Sequence, residues 1–271
     1  LSGFAPVVGV FDSGVGGLSV WRALRGALPH ARLSYLADNA WAPYGERPAE
    51  ALRERLLTLV RDWRAREPLN LLVLACNTAT AVGIDALRAE HRELPIVGIE
   101  PAIRPALAAS RSGRVGVVAT RATLNSARYQ ALRAACLARA PGGATVHERA
   151  ADGLAAAIER GDGAAAEALC RSHLQALLDE APAIDTLVLG CTHYPLVLGS
   201  WRAASGAQPL TLIDPAQAVA RRALGLLSGA AASGLALKNE PIWHCTGHAE
   251  ALSRATRQWL GMPADVRPLQ S

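Results

Sequence analysis

The chain has 271 residues, 51% hydrophobic and 19% charged, so it can bury a sizeable core as one large or two modest domains and is not a disordered polymer. Its five cysteines, scattered through the length with no CxxC pair, argue against a secreted disulfide scaffold, and apolar runs such as Leu71–Ala75 and Val115–Ala119 are far too short to span a bilayer. The net charge of +5 invites a nucleic-acid partner, but no zinc-finger spacing, basic zipper or aromatic ribonucleoprotein motif accompanies it.

In chain order, β-branched or apolar runs alternate with Ala/Leu/Arg stretches of helical period. Val7–Phe11 predicts a strand, Leu18–Leu28 a helix ended by Pro29, Leu33–Ala37 a second strand and Pro48–Arg66 a long helix. Within that helix Leu52, Leu56, Leu59, Val60 and Trp63 share one face, while its arginines alternate with Glu54 and Asp62. A solvated face of mixed charge argues against nucleic acid as a primary partner. Further strands are expected at 70–75, 96–99, 114–119, 144–148, 186–189, 210–213 and 242–245. Helices are expected over 79–90, 125–140, 154–160, 164–179, 196–204, 216–227 and 249–260. Nearly continuous apolar strands alternating with helices predict the α/β class, with parallel sheets covered on both faces. No basic region followed by a long apolar run is visible at the N-terminal stretch, so no signal peptide and a reduced, cytoplasmic setting are expected.

An internal repeat runs through this pattern. Val8-Gly9-Val10-Phe11-Asp12-Ser13 resembles Val115-Gly116-Val117-Val118-Ala119-Thr120, and Leu71–Thr78 resembles Thr186–His193, with Cys76 and Cys191 in register. The spacing from Asp12 to Cys76 is 64 residues and that from Ala119 to Cys191 is 72. Chance likeness of apolar strands explains the aliphatic residues but not a cysteine at the same strand end twice. Two pseudo-symmetric α/β domains facing each other would put their strand carboxyl ends across one shared cleft, where α/β ligands bind.

Two thiols at matched positions fit a symmetric task. With a ligand between them, one thiolate removes a proton from a carbon and the opposite thiol returns one, inverting the stereocentre. A thiol, with an ordinary pKa near 8.5, can serve as acid or base near neutral pH. Against this stand burial as a small hydrophobe, the commonest fate of a free cysteine, and a redox pair. Cys136, Cys170 and Cys245 are assigned to burial.

Other segments are less specific. Phe11–Ser19 is a glycine-rich turn that fails both the P-loop and the dinucleotide fingerprint. It reads equally as an anion-holding helix N-terminus or as a structural turn. Asp12 within it suits an ammonium group or can polarise a thiol. The loop Asp38–Gly45 carries Pro43, Tyr44 and Gly45 after a strand, where binding residues or a packed turn are both expected. His193, two residues after Cys191, is a candidate proton partner or a structural histidine. Trp243–His248 is rejected as a metal site because Gly247 and a strand-to-helix transition disrupt a single ligand face.

Taken together these residues resemble the glutamate racemases of the cofactor-independent aspartate/glutamate racemase superfamily. The resemblance is carried by Val10–Leu18, Ala37-Asp38-Asn39 with Pro43-Tyr44-Gly45, Ala75–Ala79, Thr120–Thr123 and Leu189–Pro195, in family order over nearly the whole chain. It implies interconversion of L- and D-glutamate without pyridoxal phosphate or metal, supplying D-glutamate for peptidoglycan. It further implies that Cys76 takes the α-proton from the D-isomer and Cys191 from the L-isomer, with Asp12 and His193 assisting. Asp12, Ser13, Pro43, Tyr44, Gly45, Asn77, Thr78, Thr192 and His193 would bind substrate, with Thr120 or Thr123 touching a carboxylate. The implied domains are 1–99 with 211–271, and 100–210; the implied assembly is a homodimer. One departure stands out. Where members often carry Cys-Pro ahead of a glutamate implicated in catalysis, this chain reads Ala150-Ala151-Asp152-Gly153-Leu154, so Glu159 is matched by place alone.

Overall fold

The computed structural model describes residues 5–206, 208–227 and 240–269; the first four residues, part of the stretch read for a signal peptide, lie outside these. The chain divides into two compact units, Leu1–Ile99 with Ala216–Ser271, and Glu100–Pro215. The first unit opens with β1 (Val7–Asp12), α1 (Leu18–Ala27), β2 (Arg32–Ala37), α2 (Ala49–Arg66), β3 (Leu71–Leu74), α3 (Asn77–Glu90) and β4 (Ile96–Gly98). The second contains α4 (Ile103–Ala109), β5 (Arg114–Ala119), α5 (Arg121–Asn125), α6 (Ala127–Leu137), β6 (Thr145–Ala150), α7 (Leu154–Glu159), α8 (Gly163–Glu180), β7 (Thr186–Gly190), α9 (Leu198–Ser205) and β8 (Thr211–Ile213). The chain then returns to the first unit with α10 (Ala216–Leu227), β9 (Ile242–Cys245), α11 (Ala249–Leu260) and β10 (Val266–Pro268). Among the described residues no helix is long and apolar enough to cross a membrane.

Both sheets are parallel throughout their described strands, in the orders β10-β9-β2-β1-β3-β4 and β6-β5-β7-β8. The internal repeat has its structural counterpart here: β2-β1-β3-β4 and β6-β5-β7-β8 share one order, so Asp12 and Ala119 end equivalent strands. Cys76 and Cys191 follow equivalent neighbours, β3 and β7. Each sheet buries its apolar strands under helices. In the first unit Leu52, Leu56, Leu59, Val60 and Trp63 line the inner face of α2, spaced at three to four residues, and pack with Phe11, Leu72, Leu74 and Leu87. In the second, Ile103 and Ala106 of α4 and Tyr129 of α6 pack with Val115, Val117 and Val188.

Several elements differ from expectation. The helix expected over 125–140 covers only Ala127–Leu137 and is separate from α5 before it, because Ser126 adopts an extended conformation and caps α6, its Oγ accepting from Tyr129 N at 3.1 Å. The strand expected to end at 148 continues to Ala150, since Arg149 and Ala150 keep register with Val118 and Ala119. Helix α4 is an addition to the expected elements; Pro105 falls in its first turn, where a missing N–H costs nothing. Strand Thr211–Ile213 pairs with Thr186–Val188, so the second unit runs on to Pro215 beyond the boundary expected at 210.

The α1 entry depends on close approach. A Cβ on Gly17 would lie 2.7 Å from Asp12 Cβ and 2.8 Å from the Tyr35 hydroxyl. Gly17→Ala is expected to lower Tm by several degrees in a thermal melt, since overpacking of this kind costs roughly 1–3 kcal/mol. An unchanged Tm would contradict that packing.

Candidate active site

In the first unit the strand carboxyl ends gather Asp12, Ser13, Tyr44, Cys76, Asn77 and Thr78, all buried. Asp12 closes β1 and its Oδ1 accepts from Gly14 N at 2.8 Å, so one N–H of the glycine-rich turn is already held by the protein's own carboxylate. Cys76 is the N-cap of α3. Its Sγ accepts from Ala79 N at 3.4 Å and donates to Ser13 Oγ at 3.7 Å. Tyr44 follows Pro43, whose peptide bond with Ala42 is cis, and begins a 3₁₀ turn that includes Gly45. Burial, reinforced by the Asp38 carboxylate that accepts its hydroxyl at 2.6 Å, pushes the Tyr44 pKa well up, so the phenol stays protonated.

Asn77 stands apart. Neither its amide nitrogen nor its amide oxygen has a hydrogen-bond partner among the described residues, although the residue is buried. Buried polar atoms left this way cost roughly 1–3 kcal/mol each, a cost that binding sites carry.

In the second unit the end of β7 turns through Cys191, Thr192 and His193, all buried. The turn is pinned by Tyr194, whose N donates to Cys191 O at 3.0 Å and whose hydroxyl donates to Ala151 O at 3.3 Å. Cys191 Sγ lies 3.6 Å from His193 Nδ1, and His193 Nε2 lies 2.5 Å from Glu159 Oε1. Burial opposes a charge on His193, but the hydrogen bonds to Cys191 and Glu159 outweigh it and hold its pKa well above the ordinary value. The imidazolium so formed can donate from both nitrogens, one toward the sulfur and one toward the carboxylate. Thr120 caps α5: its Oγ1 accepts from Thr123 N at 3.2 Å and donates to Thr123 Oγ1 at 2.9 Å.

Each unit thus presents a cysteine at the end of its third strand with a polar partner beside it. A family model described as Asp/Glu/Hydantoin racemase matches residues 19–223. A glutamate racemase of Pseudomonas aeruginosa is 42% identical over 267 residues, covering 98% of each chain. The chain belongs to the glutamate racemase family. Among solved structures, a glutamate racemase isoform of Bacillus anthracis superposes with a TM-score of 0.81 at 32% identity, covering 97% of both chains. A glutamate racemase of Escherichia coli, solved in complex with L-glutamate and the activator UDP-MurNAc-Ala, gives 0.81 at 32% identity over 98% of both.

Glu159, matched to the family by place alone, has a defined contact. It ends α7, its side chain is 17% exposed, and it bonds His193 from 34 positions away. In the segment Trp243–His248, His244 Nε2 pairs with Glu67 Oε1 at 2.6 Å, and Cys245 donates to Gly247 O at 3.4 Å. None of the five cysteines forms a disulfide. Asp38, which the sequence assigns no role beyond its motif, proves to be the partner of Tyr44; nothing local to residue 38 announces that contact.

Proposed function

We propose that the chain interconverts L- and D-glutamate by a two-base mechanism in which Cys76 and Cys191 serve opposite faces of the α-carbon. The observation that carries this reading is the equivalence of the two thiols: each follows the third strand of its unit, at the same place in the four-strand order that the two sheets share, beside its own polar partner. In the D-to-L direction the Cys76 thiolate takes the α-proton and becomes a thiol. The Cys191 thiol delivers its proton to the other face and becomes a thiolate, so charge and protons balance. The L-to-D direction reverses the roles. Asp12 and Ser13 attend Cys76, and His193 with Glu159 attends Cys191. An α-proton is far less acidic than a thiol, so the carbanion needs stabilisation from N–H and hydroxyl donors at the strand ends. Ser13, Tyr44, Gly45, Asn77, Thr78, Thr120, Thr123 and Thr192 are proposed to hold the substrate, with Pro43 shaping the turn. The product supplies peptidoglycan synthesis in a reducing cytoplasm, and the working assembly is a homodimer, as family resemblance implies.

The test is optical. Purified protein without added cofactor should abolish the circular dichroism of either glutamate enantiomer and leave aspartate unchanged. Inert behaviour toward both enantiomers, or equal turnover of aspartate, contradicts the reading. Asn77 supplies a second test. Asn77→Ala should raise KM for glutamate about tenfold or more, while Tm stays level or rises, because truncation removes two unsatisfied buried atoms. Unchanged KM would remove Asn77 from the site.

A further inference from the structure

We propose that Asp38, Arg55 and Thr246 are positioning residues, forming a clamp around the buried Asp38 carboxylate that fixes the Tyr44 hydroxyl and with it the 43–45 turn; this deepens the glutamate reading above and rests on it. Asp38 follows β2 and is fully buried, its own N donating to Asp12 O at 2.9 Å. Its carboxylate takes four donors: Arg55 Nη2 at 2.9 Å and Thr246 Oγ1 at 2.5 Å on Oδ1, Arg55 Nε at 3.2 Å and Tyr44 hydroxyl at 2.6 Å on Oδ2. A carboxylate offers about four acceptor sites, so the set is complete. Arg55 comes from α2, where its guanidinium also lies 5.3 Å from the centroid of the Trp41 ring. Thr246 comes from the end of β9, 208 positions along the chain.

The consequence for Tyr44 is definite. Its one proton is committed to Asp38, so toward anything else its oxygen can only accept. Its ring belongs to the same buried cluster as Cys76. The C-terminal segment reinforces the clamp, since Gly247 N donates to Asn39 Oδ1 at 2.7 Å and a Cβ on Gly247 would stand 2.9 Å from Ala40 N. A segment far away in sequence therefore holds the loop that ends beside Cys76.

Thr246→Val removes the hydroxyl at constant shape, and Thr246→Ser keeps it. Thr246→Val should raise KM for glutamate about tenfold, the order of one hydrogen bond to a charged group, with kcat within about twofold of wild type. Thr246→Ser should match wild type. A general loss of folded protein would instead lower apparent kcat at constant KM. Hydrogen–deuterium exchange of the 38–45 amides gives a readout free of substrate: faster in Thr246→Val, unchanged in Thr246→Ser. Thr246→Ala, without added bulk, should repeat the Thr246→Val result. Equal KM in wild type and Thr246→Val, a loss confined to kcat, or equal behaviour of the Ser and Val variants overturns the clamp even while wild-type racemisation stands. A wild type inert toward glutamate overturns the racemase reading, and the exchange data then decide the clamp alone.

Discussion

Cys76→Ala and Cys191→Ala should each abolish glutamate racemisation in both directions, with kcat/KM falling by about a thousandfold or more, within the range a positioned acid or base contributes. Each reaction direction uses both sulfurs, one to take the proton and one to give it, so neither variant retains a complete path. The fold should survive the change. Both thiols are buried, but Cys76 caps α3 through one weak sulfur contact, a loss on the order of 1 kcal/mol. Thermal melts beside the kinetics separate the two effects. Full racemisation by either variant would refute the two-base scheme.

The second large effect concerns the Cys191 side. Glu159→Gln keeps the shape of the side chain and removes the charge that His193 meets at 2.5 Å. The His193 pKa should then fall, because burial still opposes the imidazolium while one of the two partners that outweighed it is gone. We expect kcat to drop roughly tenfold to a hundredfold, the scale of a charge-assisted hydrogen bond, and the alkaline limb of kcat/KM to move to lower pH. Stability follows the same sign. A histidine whose folded pKa lies above its unfolded value of about 6.5 stabilises the fold fully below that value and loses the contribution as pH rises through the folded pKa. The Tm difference between wild type and Glu159→Gln should therefore be widest near pH 6 and shrink in alkaline solution. A difference that widens with rising pH contradicts an imidazolium between Cys191 and Glu159.

Much of this architecture is legible in the chain itself, for identifiable reasons. The central strands β1, β3, β5 and β7 are nearly unbroken apolar runs, and α2 repeats its apolar face with helical period, so pattern alone finds them. Ser126 hides inside a helical pattern because serine is an acceptable helix residue until it caps. Strand β10 escapes pattern because three residues ending in Pro268, hydrogen-bonded on one side only, carry no periodicity. At the site, the repeat of Cys76 and Cys191 at strand ends is visible because both lie within a few residues of the apolar run that places them. Glu159 is reachable only by family resemblance. Its contact with His193 spans 34 positions, and that of Asp38 with Thr246 spans 208, distances at which local pattern carries no information.

The most direct measurement follows the α-proton. Protiated L-glutamate is turned over in D2O, and both isomers are analysed for deuterium at an early stage of conversion. Two sulfurs acting from opposite faces predict that the D-glutamate formed carries deuterium at the α-carbon while the remaining L-glutamate stays protiated. D-glutamate that retains the original proton would mean that one group carries it across, and would contradict a two-thiol mechanism.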